Sequence, residues 1–194
     1  MKTISLFGVL LVLATGLAYG YDSTLITDQT EVGGFATPTI RFMEVGDDLG
    51  LLGGAKVGVL INHSLGVSVM GYGTILRPGP EDLEDLESLE IAYGGIAFEY
   101  IFMPHSVFHV CVPVSVGGGR VRFVGKYRDP DSGEDSGSFF MVEPELDLEV
   151  NLTRNLRLNL GVAYLSINGT DFADFTDEDL SSLTGTVALR VGSF

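Results

Sequence analysis

The chain has 194 residues, 26 acidic against 11 basic side chains, a net charge of −15 and a single cysteine. That charge excludes nucleic acid as a partner, and the lone cysteine excludes an internal disulfide and any cysteine-based zinc or redox motif. Yet only 19% of the residues are charged and the mean hydropathy is +0.31, two facts that agree if apolar side chains face lipid and the acids crowd into loops.

Met1 to Gly20 carries one positive charge, Lys2, then an apolar run from Ile4 to Ala18 and the small residues Ala18 and Gly20. This is the pattern of a cleaved export signal with the cut after Gly20, and the apolar run is short for a membrane-spanning helix. Removal of Lys2 with the signal leaves ten basic groups against 26 acidic ones. After Gly20 no stretch reaches the ~18 apolar residues of a transmembrane helix, so any membrane span must be built from strands. A short polar lead, 21–32, precedes the single expected domain, 33–194.

From Gly33 onward the chain reads as eight period-two segments separated by turn residues. They run Gly33 to Val45, Leu51 to Ile61, Ser64 to Leu76, Glu90 to Phe102, Ser106 to Val124, Ser138 to Leu152, Asn155 to Asn168 and Ser182 to Phe194. Three connections are tight, around His63, Pro104 and Thr153. The alternate connections are acidic: a short one at Gly46 to Gly50 and long ones at Arg77 to Leu89, Gly125 to Gly137 and Gly169 to Leu180. An even strand number with short turns on one rim and longer loops on the other predicts an all-β fold, an eight-stranded antiparallel up-and-down transmembrane β-barrel. Within Pro80 to Glu90, Leu83, Leu86 and Leu89 are spaced for a short helix, and a solvated charged loop is the equal alternative.

The strands have two unlike faces. In the sixth, Glu143, Glu145, Asp147 and Glu149 oppose Val142, Leu146, Leu148, Val150 and Leu152. In the seventh, Arg157, Asn159, Gly161 and Ala163 oppose Leu156, Leu158, Leu160, Val162 and Tyr164. In the fifth, His109, Cys111, Pro113 and Ser115 oppose Phe108 and the valines 110 to 116. The polar faces mix small with charged residues, which suits a narrow lumen. Counting back from the tight turns places Glu149 opposite Arg157 and Glu99 opposite His109. The triple glycine Gly117 to Gly119 predicts a bulge, because the apolar positions switch parity there to Val121 and Phe123; the switch would bring Arg120 and Arg122 inward. With Arg41, Lys56 and Arg190 also on polar faces, the expected lumen is plugged by ion pairs, since buried charge is tolerated when paired.

In strand number, loop asymmetry, charged lumen and terminal Phe194, residues 33–194 resemble the small eight-stranded bacterial outer-membrane barrels of the outer-membrane protein A and X type. The resemblance implies a location in the outer membrane of a Gram-negative bacterium and contact with outer-membrane lipid and lipopolysaccharide. It further implies that Phe194 is the terminal aromatic read by the barrel-assembly machinery. A monomer with a structural or surface-interaction role is expected.

No constellation argues for catalysis. Ser115, His109 and Glu99 supply the residue types of acyl transfer, but Ser115 and His109 lie six residues apart on one strand, roughly 20 Å. Asp129 to Asp135 alternates acids as calcium loops do but lacks the bidentate glutamate. No cofactor is expected beyond weak Ca²⁺ or Mg²⁺ binding by the acidic loops. His109 and Cys111 share a face without completing a metal site. The alternatives are a soluble periplasmic barrel carrying lipid in an apolar cavity and, with less support, a lipid hydrolase or a small passive channel.

Overall fold

The computed structural model describes residues 30–45, 48–76, 88–124, 136–170 and 177–194. The signal segment, the Pro80 to Glu90 helix up to residue 87 and the Asp129 to Asp135 motif lie outside them.

Alternating apolar positions rich in valine and isoleucine favour extended chain, and eight strands form. They are β1 (Val32–Val45), β2 (Asp48–Ile61), β3 (Leu65–Leu76), β4 (Ser88–Phe102), β5 (Phe108–Val124), β6 (Ser136–Asn151), β7 (Leu156–Asn168) and β8 (Ser182–Gly192). Each pairs antiparallel with the next and β8 returns to β1, closing the barrel. Closure leaves no strand edge unpaired. The unit spans Glu31–Phe194.

Turn chemistry sets the register at the end that carries the C-terminus. Asn62 and His63 both adopt positive φ, 50° and 58°, and the Ser64 N–H donates to the Ile61 carbonyl at 3.1 Å, which matches the right-handed twist of the flanking strands. Glu31 fastens the start of β1 to this turn. It accepts from the Asn62 N–H through its carbonyl at 2.8 Å and meets His63 Nε2 through its carboxylate at 2.6 Å. The turn after β4 is wider than the sequence suggests, running from Met103 to Val107. Glu99 therefore lies opposite Pro113, not His109. The turn after β6 is also wider, so Glu149 faces Asn159 and Arg157 faces Asn151.

The expected bulge at Gly117 to Gly119 does not form. One register runs unbroken from Ser88 opposite Val124 to Phe102 opposite Val110, and odd-numbered residues of β5 point inward along its described length. Arg120 and Arg122 are exposed on the outer surface, with Arg122 paired to Glu90 at 2.5 Å. The lumen itself changes character instead. Toward the turns it is charged; toward the loops it is filled by an apolar cluster including Met43, Met70, Val121, Phe139, Met141, Leu165 and Ile167. Val121 therefore points inward without any shift of parity.

A single helical turn, α1 (Asp177–Leu180), precedes β8. Its Leu180 is buried in the apolar cluster, so α1 packs onto that tier at the loop end. The Asp177 carboxylate anchors it by accepting from the Gly169 and Thr170 N–H groups at 3.1 and 2.8 Å. These hydrogen bonds hold the carboxyl below the usual carboxylate range. A lowered folded-state value means that the stabilisation is complete above the unfolded value, about 3.9, and is lost as pH falls through the folded one. Protection of the Gly169 and Thr170 amides, taken relative to the intrinsic exchange rate at each pH, is therefore expected to fall below about pH 4 and to be absent throughout in Asp177→Ala; pH-independent protection in the native chain would exclude the anchor.

Candidate functional site

The charged tier of the lumen is the most densely built polar site among the described residues. It starts from β6, whose inward positions carry Glu143, Glu145, Asp147 and Glu149, each 3% exposed or less. Strand alternation stacks these carboxylates on one face about 7 Å apart. Such a column of buried acids requires cations nearby, and β7, β8, β1 and β2 supply them.

Nearest the apolar tier, Arg41 of β1 pairs with Glu143 and, through Nη2, with Glu145 at 2.9 Å. Lys56 of β2 reaches the same Glu145 oxygen at 2.6 Å. Arg41 Nη1 also donates to the Tyr93 hydroxyl at 3.0 Å, and its guanidinium stacks 4.1 Å from the centre of the Tyr72 ring. Nearer the turns, Arg190 of β8 bridges Glu99 of β4 and Glu149 of β6, both at 2.8 Å. Arg157 of β7 adds a contact to Glu149 at 3.2 Å, and Asn159 donates to Glu149 at 2.7 Å. Phe194 closes the stack. Its ring lies 3.8 Å from the Arg157 guanidinium and packs against the small apolar cluster of Phe35, Leu60, Ile101 and Cys111.

Asp147 sits in β6 between the Glu145 and Glu149 groups. Its carboxylate leans over Gly161 of β7, where a Cβ would collide with it. Its Oδ1 makes no hydrogen bond within the barrel. Among the described residues, four buried cations thus face five buried carboxylates.

The structure brings together Glu99, Glu143, Glu145, Asp147, Glu149 and Arg157 in one lumen. It assigns some partners differently from the turn arithmetic: Glu99 meets Arg190, and Arg157 meets Glu149 diagonally. His109 is fully buried and its Nδ1 lies 2.9 Å from the Met103 carbonyl, at the wide turn and away from Glu99. Arg120 and Arg122 do not belong to the site, because the parity switch that was to turn them inward is absent. Tyr72 and Tyr93 belong to it without having been expected; their inward parity, continuous with Ser68 on β3 and with Ala97 and Glu99 on β4, was the available signal.

Chemically, this arrangement is a set of cross-lumen ties joining β6 to β1, β2, β7 and β8, with Glu99 of β4 held through Arg190. The acyl-transfer residues are not assembled: Glu99 is engaged by Arg190, His109 by the Met103 carbonyl, and Ser115 pairs across strands with Glu143. Among the described residues no group of three histidines, cysteines or acids is placed to hold a metal ion.

No family model matches the sequence, and no curated protein does. Solved structures do match in fold. Neisserial surface protein A is similar over 86% of this chain and 99% of its own, with a TM-score of 0.59 and 13% identity. Ail, the attachment invasion locus protein of Yersinia pestis, solved in complex with the heparin analogue sucrose octasulfate, is similar over 83% and 97%, with a TM-score of 0.51 and 12% identity. The chain thus has the fold of the small eight-stranded outer-membrane barrels.

Proposed function

We propose that the chain is an integral outer-membrane barrel of a Gram-negative bacterium with a structural or surface-interaction role, its lumen plugged by the ion-pair stack. One observation carries this reading: the barrel is inside-out relative to a water-soluble one. A stack of paired charges is buried in its lumen, while large apolar side chains such as Phe42, Val57, Val69, Ile96, Phe98 and Leu146 are 40% to 62% exposed on the outer wall. A belt of that kind is stable against hydrocarbon and a liability in water. It also speaks against the soluble lipid carrier, whose apolar face would turn inward.

In this reading the first twenty residues are a cleaved signal and Phe194 contributes to recognition by the assembly machinery. The acidic loop sequences meet the surroundings, with weak affinity for Ca²⁺ or Mg²⁺ and none for a polyanion of the sucrose octasulfate kind. Plugging follows from the stack itself, because a permeating ion must break pairs that shield buried charge.

The test is the electrophoretic mobility of the outer-membrane fraction with and without boiling, followed by planar-bilayer recording. A heat-dependent shift and no conductance above the bare bilayer are expected. A soluble periplasmic protein without a shift would overturn the membrane assignment, and steady conductance would overturn the plug.

A further inference from the structure

The outer wall is not uniformly covered. Across β2 to β5 two adjacent cross-strand rows carry almost no side chain. One runs Ala55, Gly71, Gly94, Gly118 and the other Gly53, Gly73, Ala92, Arg120. Toward the turns the next row is Val57, Val69, Ile96 and Val116, all exposed. On the far side of Gly118 stands Phe140 of β6, 53% exposed. The result is a groove of about 690 Å³ floored largely by backbone and bounded at Gly53 by the Ile75 side chain, about 14 Å long across the four strands.

The barrel's own packing does not demand this bareness throughout. A Cβ on Gly71 would have its nearest neighbour at 3.9 Å and one on Gly73 at 4.0 Å, so a side chain fits at both. Glycine in a strand costs backbone entropy and gives up contact with the surroundings, and neither loss is recovered inside the wall. At the loop-side rim stands Arg120, exposed and lining the groove, with no ion pair or hydrogen bond among the described residues. The next row outward is the Arg122–Glu90 pair, so among the described residues Arg120 is a cation without an acidic partner where the apolar belt gives way to polar side chains. On a chain of net charge −15 a cation so placed favours an anionic group, and a guanidinium suits a phosphate.

We infer that the groove holds a phosphate-bearing, acylated lipid of the leaflet at the loop end. An acyl chain lies across the glycines against Val69, Ile96 and Phe140, and a phosphate meets Arg120. This rests on the reading that the outer wall faces lipid and adds a defined site to it.

The experiment is native mass spectrometry of the full barrel, released from detergent after incubation with bisphosphorylated lipid A or with the same lipid stripped of phosphate. Native chain is expected to retain one phosphorylated lipid. Arg120→Gln should lower that retention at least tenfold, to the level of the stripped lipid, while Arg122→Gln leaves it unchanged. The double variant Gly71→Leu with Gly73→Leu should lower retention of both lipids at least fivefold. The heat-dependent mobility shift of every variant verifies folding. Equal retention by native chain and variants would overturn the site. So would a protein dimer that the leucine pair dissociates, since the groove would then seat a second copy. Loss of the mobility shift in the native chain would instead overturn the membrane reading, which keeps the two failures distinct.

Discussion

Replacing Arg190 by methionine is expected to destabilise the barrel by about 3 kcal/mol, at the lower end of the range for breaking a buried pair. Arg190 is fully buried and holds Glu99 and Glu149 at 2.8 Å each, while its guanidinium lies 4.5 Å from the centre of the Phe35 ring. The two acids are left in unequal positions. Glu149 keeps Arg157 and Asn159. Glu99 keeps no other ion pair among the described residues, and its carboxylate is held over Gly66. The cost therefore concentrates at Glu99, and Arg190→Met combined with Glu99→Gln should regain more than half of it. Urea unfolding in lipid vesicles, followed by the mobility shift, measures both steps. A single variant within about 0.5 kcal/mol of the native chain, the scale of ordinary surface substitutions, would mean that the pair is dispensable.

Gly117→Val is expected to abolish the heat-shifted species altogether. Gly117 of β5 and Gly95 of β4 are an inward cross-strand pair where the two backbones come together. A Cβ on Gly117 would lie 2.7 Å from the Gly95 Cα and 2.9 Å from the Gly94 carbonyl carbon. Those are main-chain atoms in paired strands, so neither rotamer change nor side-chain motion relieves the contact. The cost therefore exceeds the roughly 1–3 kcal/mol of ordinary overpacking. Gly95→Val, approaching Gly117 Cα at 2.8 Å, should fail in the same way, whereas Gly71→Ala on the outer wall should refold as the native chain does. The refolded fraction in vesicles, read from unboiled samples, decides the matter; native-like refolding of Gly117→Val would show that the sheet can open there.

Strand number, order and most boundaries were legible because a two-sided wall imposes strict alternation, and alternation is what a sequence records most directly. The column of acids on β6 was legible for the same reason. Partners were not, because turn length decides register and the wide turn at Met103 to Val107 carries no glycine to announce it. Shifting β5 by four positions moved Glu99 from His109 to Pro113, and its cation came from β8, far along the chain. The error over Arg120 and Arg122 had a different origin: the inward face was assumed to be polar along its whole length. Phe139 and Met141 on β6 and Leu165 and Ile167 on β7 already share the parity of the inward charges on their own strands. Read together with Val121, they mark a tier where the inward face turns apolar, and no change of parity is needed.

The column of carboxylates at every second position of β6 has a consequence for how the strands find one another. If β6 slid by two residues against its neighbours, acids would still point inward and apolar residues outward, so hydrophobic sorting alone would accept the misthreaded sheet. What rejects such decoys is the unevenness of the wall opposite. Gly161 receives only Asp147, and Arg41 and Lys56 converge on Glu145. Glu149 alone meets Arg157, Asn159 and Arg190 together. A slipped β6 would press a carboxylate on a filled position and strand a guanidinium without its partner, each an uncompensated buried charge. The lumen thereby acts as a proofreading template, telling one even-numbered threading from the next.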